Sequence, residues 1–253
     1  MVELMDNIET ILKQAAEYSA QPPVIPVENK IPVGAEIAGW IDHTLLKPEA
    51  TATQIKTLCQ EALEYRFAAV CVNPVYIPLV AGLLKGTTVA ANSVVGFPLG
   101  ANAATIKAAE TLACLEAGAT EIDMVMNIGA LKGEAFSQVF NDIRSVTQVA
   151  HRQGAIVKVI LETALLSRKE KIIACLLSKA AGADFVKTST GFGPAGATIE
   201  DVELMRRVVG PQVRVKAAGG IRSYADALAM ISAGASRIGT SSGVKIIQEA
   251  TKF

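Results

Sequence analysis

The sequence predicts an α/β protein, a (β/α)8 TIM barrel preceded by an N-terminal helical extension. Three observations carry that expectation. From Trp40 onward, short β-branched runs alternate with longer alanine-rich stretches of helical period, the pattern of repeated βα units around a parallel sheet. Eight such units fit in roughly 215 residues, near the small end of the barrel's size range. Ala-Gly-Ala recurs at 117–119, 181–183 and 233–235, each reading as a helix stop with glycine as C-cap before the next strand. The competing arrangement, an open doubly wound sheet, lacks the Gly-x-Gly-x-x-Gly that would follow its first strand.

Taken in order, residues 7–18 have a helical pattern, and the segment from Gln21 to Pro32 (QPPVIPVENKIP) forbids regular structure through its prolines. Residues 1–37 are therefore expected as a helix and Pro-rich linker, and 38–253 as the barrel domain. Within the barrel, strand 39–42 is followed by helix 53–65, 68–72 by 75–84, 89–95 by 103–117, and 121–126 by 136–153. Strand 156–161 is followed by helix 168–181, 184–188 by 199–208, 214–217 by 224–233, and 237–239 by a last helix at 244–250.

Composition narrows the function. With 51% hydrophobic residues in 253, the chain can bury a large core, which excludes disorder as its main state. Lys plus Arg number 24, as do Asp plus Glu, so no bulk field draws the chain to nucleic acid or an anionic membrane. The longest uncharged stretch, 86–106, is broken by Gly96, Pro98, Gly100 and Asn102 and does not read as a spanning helix. The N-terminal Met-Val-Glu-Leu-Met-Asp has neither the basic nor the apolar region of an export signal, so a cytoplasmic protein is expected. Cys59, Cys71, Cys114 and Cys175 are scattered, which predicts reduced thiols rather than a metal site or disulfide scaffold. With only two histidines, a His-rich metal site is not expected either.

Alternation along the strands points charge into the barrel. In Phe185-Val186-Lys187 and Val213-Arg214-Val215-Lys216, outward-packed Val186 and Val215 leave Lys187 and Lys216 facing inward from neighbouring strands. The same parity turns Glu121, Asp123, Lys158 and Glu162 inward, and Asp42 ends strand one. Four acids thus face four bases (Lys158, Lys187, Arg214, Lys216), and burial requires them to pair. For Arg214, Lys158 and Glu121, an ion-pair lattice that closes the barrel is the favoured reading. Lys187 is followed by Thr188-Ser189-Thr190-Gly191-Phe192-Gly193, a polar cavity rim. A lysine is nucleophilic only when neutral, and at a reference pKa of about 10.4 neutrality at pH 7 costs roughly 4.6 kcal/mol. An ammonium about 5 Å away, at an effective dielectric of about 20, supplies roughly 3 kcal/mol of that, and burial can supply the rest. Lys216 is the candidate neighbour.

A phosphate site is the other local signal. Barrels often hold phosphate in the loops after strands seven and eight. Here those loops carry Gly219-Gly220 and Ser241-Ser242, backbone and hydroxyl donors at the two places the fold predicts. Phe192 stands beside this site where a basic residue could have served. Asp42 and Thr44 either line the pocket or, in the case of Asp42, cap the next turn. Cys71 faces the cavity or packs in the core. His43, of opposite parity to Asp42, reads as structural, and His151 as a surface residue.

Blocks spread through the whole barrel carry a resemblance: Asp42-His43-Thr44-Leu45-Leu46-Lys47-Pro48, Val70-Cys71-Val72-Asn73-Pro74, Val95-Gly96-Phe97-Pro98-Leu99-Gly100, Glu121-Ile122-Asp123-Met124-Val125-Met126-Asn127, Val186-Lys187-Thr188-Ser189-Thr190-Gly191-Phe192, Lys216-Ala217-Ala218-Gly219-Gly220 and Gly239-Thr240-Ser241-Ser242. Over residues 38–250 the chain resembles the deoxyribose-phosphate aldolase family, class I (Schiff-base) aldolases. The resemblance implies reversible cleavage of 2-deoxy-D-ribose 5-phosphate to D-glyceraldehyde 3-phosphate and acetaldehyde, with no metal or organic cofactor. It implies Lys187 as the Schiff-base lysine, Lys216 as the second lysine and Asp123 as the carboxylate of the proton relay. Thr190, Gly191, Gly219, Gly220, Ser241 and Ser242 would then hold the phosphate. Its partners would be phosphorylated sugar and short aldehydes, and a homodimer is an expected assembly. Family members ending in tyrosine use it in proton transfer, whereas this chain ends Thr251-Lys252-Phe253. Two other classes remain: a sugar-phosphate isomerase or epimerase, which would form no adduct with Lys187, and a non-catalytic phosphosugar-binding barrel, which would tolerate loss of Lys187.

Overall fold

The computed structural model describes residues 2–24 and 31–251; part of the proline-rich linker and the terminal Lys252-Phe253 lie outside them. The first helix, α1 (Val2–Ala20), is longer than the sequence pattern predicted. It places Ile8, Ile11 and Ala15, at helical spacing, against the barrel's outer helices α6 and α7. Gly34–Trp40 winds as a 3-10 turn that buries Ile37 and Ala38 and packs on the last helix. The expected first strand is corrected by this turn. Gly39 and Trp40 belong to the turn, and β1 runs Ile41–Leu45, so Asp42 stands near the start of the strand rather than at its end.

The barrel then proceeds through α2 (Ala52–Tyr65), β2 (Ala69–Val72), α3 (Ile77–Leu84), β3 (Ala90–Val95), α4 (Ala104–Glu116), β4 (Glu121–Val125), α5 (Ile128–Lys132), α6 (Phe136–Arg152) and β5 (Ile156–Ile160). It continues with α7 (Arg168–Ala180), β6 (Phe185–Lys187), α8 (Ile199–Val209), β7 (Arg214–Ala218), α9 (Tyr224–Ser232), β8 (Arg237–Thr240) and α10 (Gly243–Ala250). All neighbouring strands pair in parallel, and β8 closes on β1, with Asp42 opposite Gly239. Short α5, caught between β4 and α6, has no counterpart in the expected order.

Local chemistry sets the helix ends. Thr51, Ser167 and Ser223 close capping boxes with Gln54, Glu170 and Asp226, each worth about 1 kcal/mol. The glycines of the Ala-Gly-Ala stops take left-handed backbone, Gly118 at φ 104° and Gly234 at φ 114°, where a Cβ on Gly118 would meet that of Ala81 at 2.6 Å. Alternation then sorts the strands. Val70, Ile122, Met124, Val157, Val159, Val186, Val215 and Ile238 point outward into the apolar layer under the helices, which leaves the polar positions to the barrel's interior.

Candidate active site

Register brings the site together. Lys187 on β6 lies opposite Lys216 on β7, and Asp123 on β4 lies opposite Lys158 on β5. Lys187 Nζ donates to Asp123 Oδ2 at 2.8 Å, and Lys216 Nζ donates to the same oxygen at 2.7 Å. Lys216 also donates to Asp42 Oδ2 at 2.5 Å. The other Asp123 oxygen accepts from Lys158 Nζ at 2.9 Å and from Asn92 Nδ2 at 3.0 Å. The interior is therefore a lattice in which one carboxylate touches three ammonium groups, with Asp42, Asp123, Lys158 and Lys216 all closed to solvent.

The two lysines respond oppositely to this setting. Burial pushes the Lys187 pKa down from the ordinary lysine value; Asp123 opposes the shift and the Lys216 ammonium reinforces it. Burial, rather than the Lys216 ammonium expected from the sequence, is the leading cause. Burial also works against Lys216, but the Asp123 and Asp42 carboxylates more than compensate and hold its pKa above the usual value. Asp123 is held well below the carboxylate range by Lys158, Lys187 and Lys216, despite burial. Burial, then the nearby Asp123 charge, raises the Cys71 thiol, which packs with Leu46 and Val94 under Phe97.

Above the lattice, at the carboxyl ends of the strands, opens a cavity of about 380 Å³. Lys187 is at its floor. Thr44, Thr190, Gly191, Gly219, Gly220 and Ser241 line it. Ser242 does not: its N–H donates to Thr240 Oγ1 at 2.9 Å, and it starts α10 just beyond the wall. Asp42, Asp123, Lys216 and Cys71 lie beneath the lining rather than in it. The loops after β6 and β7 touch backbone to backbone, Ala197 N donating to Gly219 O at 3.0 Å. A Cβ on Gly196 would sit 2.2 Å from that oxygen, so glycine is required there.

Several parts differ from the sequence reading. Arg214, expected inside the lattice, is exposed, its guanidinium carbon 4.0 Å from the centroid of the Phe185 ring. Its place belongs to Arg237 on β8, which donates to Asp42 Oδ1 at 2.6 Å and spans both Glu121 oxygens at 3.2 and 3.3 Å. Glu162 lies past the end of β5 in left-handed backbone at φ 55°. Its carboxylate accepts from Thr190 N and Thr190 Oγ1, which fixes the loop carrying Thr190. Lys47 and Arg222 also line the cavity and supply the cationic character that Phe192 does not. His43 bonds Glu61 at 2.7 Å outside the barrel, and His151 pairs with Asp184 at the surface, as expected. Among the described residues no cluster of His, Cys, Asp and Glu is placed to hold a metal ion.

Comparison with known proteins gives four findings. Residues 37–249 match a model described as DeoC/LacD family aldolase. A deoxyribose-phosphate aldolase of Thermococcus gammatolerans is 59% identical over 220 residues, which cover 86% of this chain and 98% of that one. Among solved structures, a candidate deoxyribose-phosphate aldolase of Coccidioides immitis superposes with a TM-score of 0.90 at 43% identity, covering 97% of this chain and 98% of its own. A deoxyribose phosphate aldolase of Aeropyrum pernix, described as a tetramer, superposes with a TM-score of 0.80 at 37% identity over 94% and 95% of the two chains.

Proposed function

The chain belongs to the DeoC/LacD family of aldolases, and from that premise we propose that Lys187 is the amine on which its aldol chemistry turns. The reaction is reversible cleavage of 2-deoxy-D-ribose 5-phosphate to D-glyceraldehyde 3-phosphate and acetaldehyde. The observation that carries the assignment is a lysine at the floor of a polar cavity, its amine sharing one carboxylate oxygen with a second lysine.

Neutral Lys187 attacks C1 of the open-chain sugar, and loss of water from the carbinolamine leaves an iminium. As the C3 hydroxyl gives up its proton, the C2–C3 bond breaks and its electron pair moves toward the iminium nitrogen, releasing glyceraldehyde 3-phosphate and leaving an enamine. Protonation of the enamine at C2 and hydrolysis of the imine return acetaldehyde and the free amine. Asp123 passes protons during carbinolamine formation and enamine protonation, with Lys216 keeping it ionised between steps; its 2.8 Å contact with Lys187 Nζ supports that role. Thr190, Gly191, Gly219, Gly220 and Ser241 receive the phosphate, with Arg222 at the same wall, so that binding remote from the reacting carbons orients them. Ser242, the N-cap of α10, makes no side-chain cap bond and stands beyond the lining.

Incubation with acetaldehyde and borohydride followed by intact-mass measurement tests the assignment. One reduced two-carbon adduct is expected on Lys187, and none in Lys187→Met. An isomerase or a binding barrel would give no adduct in the parent chain, and an adduct that persists in Lys187→Met would refute the role of this lysine. The same reading places the enzyme in the cytoplasm, where phosphorylated sugars are retained, as a homodimer; light scattering of the purified protein decides the latter.

A further inference from the structure

Arg237 has no place in the chemistry above, yet it sits in the lattice beneath it. Three carboxylates (Asp42, Glu121, Asp123) and four cations (Lys158, Lys187, Lys216, Arg237) share the interior, and their contacts are unequal. Lys158 reaches Glu121 at 2.6 Å, Asp123 at 2.9 Å and Asp42 at 3.7 Å. Lys216 reaches Asp42 and Asp123, and Arg237 reaches Asp42 and Glu121. Lys187, among the described residues, has one carboxylate oxygen and shares it with Lys216.

With every group ionised the lattice would hold one positive charge in excess, in a region nearly closed to water. Such an excess is relieved where a proton leaves most easily, at the amine with the fewest counter-ions. An arginine cannot provide that relief, because it stays charged throughout the working pH range. Arg237 stands on the first residue of β8, at the barrel's amino end, away from the cavity. It is faced by Asp42 from β1, Glu121 from β4, the Phe185 ring from β6 and the exposed Arg214 from β7. Lys187 is faced by Asp123 from β4, Lys216 from β7 and the Cys71 thiol from β2.

We infer that Arg237 is a positioning residue for the aldol reaction, whose fixed charge occupies Asp42 and Glu121 from below and so leaves Lys187 the cation in excess. The inference rests on the reading of Lys187 as the Schiff-base amine. It implies that two substitutions at one remote contact act in opposite directions. Arg237→Met removes the excess charge, so Lys187 keeps its proton to higher pH. Glu121→Gln adds to the excess, so Lys187 loses its proton at lower pH.

The pH profile of kcat/KM for deoxyribose 5-phosphate cleavage reads both. A unit charge about 10 Å away at an effective dielectric of about 20 moves a pKa by about 1. The acid limb is expected to rise by about one pH unit in Arg237→Met, to fall in Glu121→Gln, and to stay near the parent position in Arg237→Lys. An Arg237→Met limb that coincides with the parent's, or limbs that move the same way in Arg237→Met and Glu121→Gln, overturns the inference. Should Arg237→Met fail to fold, Glu121→Gln decides alone: a lowered limb supports the role of Arg237, and an unmoved or raised one overturns it. Borohydride trapping on the parent chain separates the two levels, since a missing Lys187 adduct removes the underlying reading, whereas a normal adduct with unmoved limbs removes only the part given to Arg237.

Discussion

A lysine that burial drives toward its neutral form is a liability to the folded state. The Lys187 pKa is lower folded than unfolded, so unfolding takes up protons between the two values and stability rises with pH across that window. Below it the cost is fully present. Lys187→Met removes the least compensated cation while Asp123 keeps Lys158 and Lys216. The variant is expected to lose turnover yet gain about 1 kcal/mol at pH 7, and a thermal midpoint below the parent's would contradict that. Lys216 adds to the effect of burial on the same amine. Its ammonium helps depress Lys187, so Lys216→Leu is expected to move the acid limb of the rate profile upward in pH or abolish turnover; a normal rate with an unmoved limb would refute the coupling. Strand parity alone was enough to find this pair in the sequence. It misplaced Arg214 because a residue at the first position of a strand can leave the barrel through its open amino end, and it passed over Arg237, although Ile238 packing outward gave the same signal.

At the scale of elements, the end of β4 is held by a second buried ion pair that the sequence reading did not single out. Lys107 on α4 donates to Asp142 Oδ2 on α6 at 2.6 Å and to Val125 O at 2.8 Å. The same Asp142 oxygen accepts from Asn127 N at 3.1 Å, and Asn127 Oδ1 accepts from Ala130 N at 2.9 Å to start α5. The strand that carries Asp123 is thereby fixed at its carboxyl end by two helices. Asp142→Ala would leave a buried ammonium without the carboxylate it contacts, a loss expected at about 3–5 kcal/mol, while Lys107→Met combined with Asp142→Leu should lose much less. Urea unfolding of the two variants makes the comparison, and equal losses would show that shape, not charge, matters here. Most elements were legible because β-branched runs, alanine-rich stretches of helical period and Ala-Gly-Ala stops are local signals. What was not legible depended on distance. Lys107 and Asp142 are 35 positions apart, α5 exists because Asn127 caps it, and Gly39-Trp40 resembles a strand start until Ile37 is buried beneath it. Lys47 and Arg222 join the cavity only once loops from different strands converge, and no spacing announces that.

For the whole molecule, equal numbers of basic and acidic residues leave no net field outside, while the interior holds cations in local excess. The charged lattice is built from barrel strands alone, and the N-terminal helix packs outside it. Helix α1 lays Ile8, Ile11 and Ala15 on α6 and α7, along the outer ring, whereas the cavity opens at the carboxyl ends of the strands. Most helical stability in a folded protein comes from packing an amphipathic face rather than from propensity, so the order of α1 rests on that contact, and the barrel gains from it in turn. Removal of residues 1–30 is expected to cost about 2 kcal/mol through the apolar face left on α6 and α7, which at this chain length lowers the thermal midpoint by roughly 4–8 °C. The Lys187 adduct should still form, and kcat/KM should stay within about twofold, because the register of β4, β6 and β7 does not involve α1. Calorimetry and steady-state kinetics on the shortened chain check both halves: an unchanged midpoint would show that α1 contributes nothing to stability, and a lost adduct would show that the barrel's interior depends on a helix outside it.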